Sequence, residues 1–146
     1  MTQTKEQTEN QDKAERYLSR INLVEREIRG KRLELEALRY KASGAGAIRY
    51  DRDRVQTSPQ DYMTMVIEDV LELEKQIKED EESIEDIKGE AYRIVRQMQD
   101  RDNRALIEWF YLNGLSMTET AEFMKMSERN AYYIQDKALE EFGALL

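Results

Sequence analysis

Apolar positions recur along much of this chain at steps of three and four. From Tyr17 they run through Ile21, Val24, Ile28, Leu35, Leu38 and Ala42, with Lys31 the one polar member of the series. A 3.5-residue period marks a helix that packs along its length against a partner helix. Gly30 lies inside it and costs about 1 kcal/mol relative to alanine, so the helix is locally soft there. The glycines of "SGAG" (43–46) end it. A second, longer seam takes in Met63, Val66, Val70, Leu73, Ile77, Ile84, Ile87, Ala91, Ile94 and Met98, interrupted only by Asp80. Its start is well marked, with Ser58 as N-cap, Pro59 in the first helical position and Asp61 as a capping acid. The seams predict helices of roughly 45 Å and 60 Å. A single short connection makes an antiparallel coiled-coil hairpin the simple arrangement, spanning residues 13–99 with a loop at about 43–58. Residues 1–12 are polar and lack apolar spacing, which predicts a flexible N-terminus.

From residue 100 the pattern shortens. A first helix, from about Asp102 to Leu112, carries Leu106, Trp109 and Phe110 before "NG" (113–114) stops it. Ser116 opens the next, with Glu119 at capping-box spacing and Ala121 available for a close crossing. After a bend at "KMS" (125–127), Ser127 caps a last helix whose apolar face is Ile134, Ala138, Leu139 and Phe142. Two helices joined by a short turn and braced by a third are the helix-turn-helix plan. The fold class expected is therefore all-α, a long coiled-coil hairpin followed by a small three-helix domain over 100–146. A packed or dimerising helical tail accounts for the same pattern.

Composition narrows the chemistry. The chain has no cysteine and no histidine, which removes disulfides, thiolate metal sites, the usual near-neutral general base and the commonest metal ligand. Without a Gly-rich phosphate loop or nucleophile elbow, no catalytic constellation emerges, and neither enzyme activity nor a cofactor is expected. The acidic run "KEDEESIEDIKGE" (78–90) lacks the layout of a calcium loop and keeps the helical seam going, so it reads as a solvated helix face rather than a metal site. No apolar run reaches membrane-span length and the first residues lack a signal peptide's apolar core, so a soluble, cytoplasmic protein with no membrane partner is expected.

The net charge of −8 is unevenly spread. Residues 1–60 hold 13 basic and 10 acidic groups, 61–100 hold 5 and 13, and 101–146 hold 5 and 8. A polyanion meets its most favourable field in the first sixty residues. Arg49, Arg52 and Arg54, interleaved with Tyr50, Asp51 and Asp53, are candidate phosphate contacts, although pairing with the neighbouring acids explains them as well. On the last helix Ser127, Glu128, Arg129, Asn130, Tyr132, Tyr133, Gln135 and Lys137 are candidates for contact with double-stranded DNA, joined by Ser116 and Thr118 from the preceding helix. Arginine pairs with guanine, asparagine or glutamine with adenine, and glutamate accepts from cytosine. Tyr132 and Tyr133 are adjacent, so at least one points outward.

The stretch "LIEWFYLNGLSMTETAEFMKMSERNAYYIQDKALEEF" resembles sigma factor region four and its relatives, with Ser-x-x-Glu-x-Ala, a serine-bearing turn and an ending in Lys-Ala-Leu. The N-terminal "AERYLSRINLVEREIRGKRLELEALR", the "RVQTSPQD" junction and the acidic helix after it resemble small phage and prophage proteins related to the RinA- and ArpU-type late transcription regulators. Together these cover residues 14–142. The resemblance implies an oligomeric regulator that binds DNA upstream of late phage genes. It places Ser116, Glu119 and Ala121 on a supporting helix, and Ser127, Arg129, Asn130 and Tyr133 on a recognition helix. This chain departs from many relatives in carrying "WFY" (109–111) where they are basic, and Asp136, Glu140 and Glu141 on the last helix. Phosphate neutralisation supplies much DNA affinity. Pairing of subunits, the arginine-bearing segment or a contact with RNA polymerase would have to compensate. Two other readings are a protein-binding adaptor that docks on RNA polymerase or a phage assembly protein through its hairpin, and a DNA-packaging subunit, whose reading domain usually comes first.

Overall fold

A computed structural model describes residues 4–44 and 58–146, and every regular element among them is helical. The first helix, α1, runs Lys5–Ala42 and so begins inside residues 1–12, where the sequence suggests a flexible N-terminus. Its start is a reciprocal cap. The Thr4 hydroxyl accepts from the Gln7 amide (3.2 Å) and the Gln7 side chain accepts from the Thr4 amide (2.9 Å). The helix is also held by packing, because Ala14, Leu18 and Ile21 are fully buried.

The second helix, α2, covers Pro59–Gln97, and the Asp61 amide donates to the Ser58 hydroxyl at 3.1 Å, as its N-terminal sequence predicts. Of the second seam, Val66, Leu73, Ile77, Ile84, Ala91, Ile94 and Met98 are buried. The short helices α3 (Arg101–Leu106), α4 (Met117–Met124) and α5 (Glu128–Ala144) follow. Asp100 caps α3 by accepting from the amides of Asp102 and Asn103. The helix expected to run to Leu112 instead changes pitch. Ile107–Leu112 winds as a π-helix, with Asn113 donating to the Glu108 carbonyl five residues back at 2.9 Å.

Contacts group the chain into two units. One unit comprises Met1–Val24 with Ile84–Leu146, the other Glu25–Ser83. The physical reason lies in the first unit. A Cβ added at Gly143 would overlap the backbone carbonyl of Asn10, so α1 and α5 cross in backbone contact. Tyr17 packs its ring 5.6 Å from that of Phe142, and Gln11 donates to the Asp136 carbonyl at 3.1 Å. The N-terminal turns of α1 thus belong to the core of the C-terminal helices.

Within the second unit the α1 and α2 segments pair antiparallel. Arg39 bonds Glu74 at 3.0 Å, and Arg32 bonds Glu81. Leu35, Leu73 and Ile77 form one buried cluster, with Leu38 and Val70 packed against it, and Ile28 and Val66 are buried as well. The two polar residues that interrupt the apolar seams prove to be partners, Lys31 Nζ lying 2.6 Å from Asp80 Oδ2. A polar pair at matched seam positions sets helix register, since any slip leaves two charges facing apolar neighbours. The bond to Asp80 raises the Lys31 ammonium above its usual pKa.

Candidate nucleic-acid interface

The region of interest is built from its caps. Ser116 accepts from the Glu119 amide at 3.1 Å while Glu119 accepts from the Ser116 amide at 3.2 Å, a complete capping box at the start of α4. The helix ends with Met126 donating to the Ala121 carbonyl and Lys125 to Glu122, a Schellman closure. This closure puts Lys125 in the left-handed region (φ 57°, ψ 48°), where glycine is usual. Ser127 then accepts from the Asn130 amide at 3.1 Å and opens α5. Two fixed ends therefore flank a three-residue turn, and α5 is braced through Ala131, Ile134, Ala138 and Phe142, all buried.

Over its first three turns α5 leaves in solvent Glu128, Arg129, Asn130, Tyr132, Tyr133, Asp136 and Lys137. Both tyrosines point outward, at 52% and 61% exposure, so neither is spent on the core. Lys137 Nζ stands 4.4 Å from the centre of the Tyr133 ring, a cation–π contact that holds the charge one helical turn from the tyrosine. Among the described residues Lys125, Arg129 and Lys137 form no ion pair. Ser116, Thr118 and Ser127 are exposed, and the two serine hydroxyls accept the capping bonds.

Gln135 departs from this set. It is half-buried, and its amide donates to the Tyr111 hydroxyl (2.9 Å), which itself donates to Glu15 Oε2 (2.7 Å). Burial, and then the bond to Glu15, push the Tyr111 hydroxyl far above its ordinary pKa. Gln135 is thus committed to a chain of polar groups joining α1, the π-helix and α5, because a buried phenol needs both partners. Arg49, Arg52 and Arg54 lie outside the described residues.

An aromatic pair went unread in the sequence. Trp109 and Phe123 stack at 4.9 Å with their planes 8° apart, and they remain 36% and 60% exposed. Their spacing along the chain gives no local signal. Only the fold brings the π-helix beside the end of α4.

Acids weigh on the surface as well. Glu119, Glu122, Glu128 and Asp136 are all exposed on α4 and α5. Among the described residues no group of three or more acids is arranged to hold a metal ion, and no helix is long and apolar enough to cross a membrane. No family model, curated protein or solved structure compared with the chain matches it.

Proposed function

We propose that the chain is a sequence-specific DNA-binding regulator that acts as an oligomer, with α4 and α5 as a helix-turn-helix and α5 as its reading helix. The observation that carries this is the exposed row Arg129, Asn130, Tyr133 and Lys137 on a helix fixed at its start by the Ser127 cap. Such a helix end presents its first turns to the major groove, where arginine and asparagine read guanine and adenine edges. Helices α1 and α2 form the coiled-coil hairpin that joins subunits, and two reading heads then share one operator. Regulation of late phage genes is the role that the sequence resemblance supplies for this reading.

The mixed charge shapes the mechanism. Three cations against four exposed acids give weak phosphate attraction, so one copy binds poorly and two linked copies bind usefully. The test is fluorescence anisotropy on phage late-promoter duplexes over a salt series. Arg129→Ala or Asn130→Ala each weakens specific binding by about 1–3 kcal/mol while leaving weak binding to scrambled DNA nearly unchanged. Equal loss on both duplexes would reduce these residues to non-specific contacts.

The exposed Trp109–Phe123 pair favours a second reading, an adaptor that docks on another protein, RNA polymerase among the candidates. Aromatic side chains are enriched at interface hot spots. Under that reading Phe123→Ala abolishes capture of the partner and the anisotropy experiment shows no duplex preference.

A further inference from the structure

The unit Glu25–Ser83 has a small interior, the five buried apolar side chains Ile28, Leu35, Val66, Leu73 and Ile77, for two helical segments. Two helices alone rarely bury enough to stand without further cover. The first turns of its α2 segment carry apolar side chains outside the inward face as well as on it, beside the exposed acids Glu68, Asp69 and Glu72. Val66 and Leu73 face inward, while Met65, Ile67 and Leu71 are 56%, 47% and 60% exposed. Exposed apolar side chains grouped in this way mark a contact surface.

One face of this unit carries both halves of a fit. Arg32, Leu35, Glu36, Arg39 and Ile77 line a groove of about 440 Å³, with Leu35 and Ile77 as its apolar part. Ile67 and Leu71 stand on the same side of α2, because steps of four and three from Ile67 lead through Leu71 to Glu74, and Glu74 reaches across to Arg39 on the groove wall. The knobs and the hole therefore share a surface. That surface also carries both signs of charge, Arg32, Arg39 and Lys78 beside Glu36, Glu74 and Glu81. A patch complementary to itself in shape and charge is what an isologous two-fold contact requires.

From this we infer that a second copy of the chain covers the face, Leu71 and Ile67 of each copy entering the other's groove between Leu35 and Ile77. The two-fold axis then passes near Glu74, whose charge is already met by Arg39 at 3.0 Å. The inference gives an address to the oligomer in the proposed function, and it is independent of whether α5 reads DNA.

Sedimentation equilibrium of the full chain at micromolar concentration tests it. The expected species is a dimer, twice the 17.3 kDa of one chain. Leu71→Asp and Ile67→Asp each weaken the dimer by about tenfold or more, with helical circular dichroism unchanged because both side chains are exposed. Leu33→Asp, on the outward side of α1 and 68% exposed, leaves the dimer intact. A monomeric wild type overturns the inference, whether residues 45–57 or a different protein cover the face. So does a dimer that Leu33→Asp dissociates and the α2 variants do not. A dimer that shows no duplex preference sinks the DNA reading alone, and a monomer that reads DNA sinks the shared face and the pairing of reading heads but leaves α5 as a reading helix.

Discussion

At the scale of single residues, Lys125 is held at a conformational cost. Its left-handed backbone disfavours a residue with a Cβ by about 1 kcal/mol, and glycine would adopt the same turn freely. A lysine there adds an exposed cation at the turn between α4 and α5. Lys125→Gly should therefore raise stability by about 0.5–1 kcal/mol in urea unfolding and, under the proposed function, weaken DNA binding while flattening its salt dependence. Unchanged binding would remove Lys125 from the interface and leave the strain without a functional reason.

Three other residues set a response to alkali. Burial, with Glu90 adding to it, pushes the Tyr17 hydroxyl up to about 12, Tyr111 moves in the same direction, and the bond to Asp80 raises Lys31. Each group holds its proton more tightly in the folded chain than in the unfolded one. The contribution of Tyr17 is thus complete below the unfolded value near 10 and is lost as pH rises between about 10 and 12, and those of Tyr111 and Lys31 also decline as pH rises. Urea midpoints should be flat around neutral pH and fall across that window. Tyr111→Phe should lower the neutral midpoint, by breaking the bonds to Glu15 and Gln135, and shrink the alkaline fall. A fall of unchanged size in Tyr111→Phe would contradict the assignment.

At the scale of elements, the crossing of α1 over α5 rests on a missing side chain. The backbone of Asn10 occupies the place of a Cβ on Gly143, and backbone cannot swing aside as a flexible side chain can. Gly143→Ala should cost about 1–3 kcal/mol or more and reduce hydrogen-exchange protection in the first turns of α1. Gly30 makes the opposite case. Nothing lies within 4 Å of its missing Cβ, so Gly30→Ala should add about 1 kcal/mol. Equal effects from the two substitutions would refute the close crossing.

Some of these elements can be read directly in the sequence and others cannot. The 3.5-residue seams mark α1 and α2, and Ser58, Ser116 and Ser127 mark three helix starts, because caps and periodicity are local signals. Thr4 and Gln7 hold the same kind of local signal, hidden within a polar segment that suggests disorder. Lys31 and Asp80 stand out as breaks in the seams, but their pairing requires the register of one helix on the other. The π-helix, the inward turn of Gln135 and the Trp109–Phe123 stack depend on neighbours distant in the chain. For that reason, most of the exposed row on α5 follows from helical spacing, whereas the loss of Gln135 from it does not.

At the scale of the whole molecule, the account is one of weak parts made effective by pairing. The chain carries −8 overall, and its C-terminal 46 residues hold 5 basic against 8 acidic groups. Such a surface does not gather DNA by charge alone. Under the proposed function, sequence reading by Arg129 and Asn130 and the coupling of two heads have to supply what the field does not. Selection of bound duplexes from a random double-stranded pool at low salt tests this claim most directly. The account predicts enrichment of a motif with two related half-sites, and loss of that enrichment in Arg129→Ala. A pool that stays random after repeated rounds, with a folded wild-type protein, would contradict it.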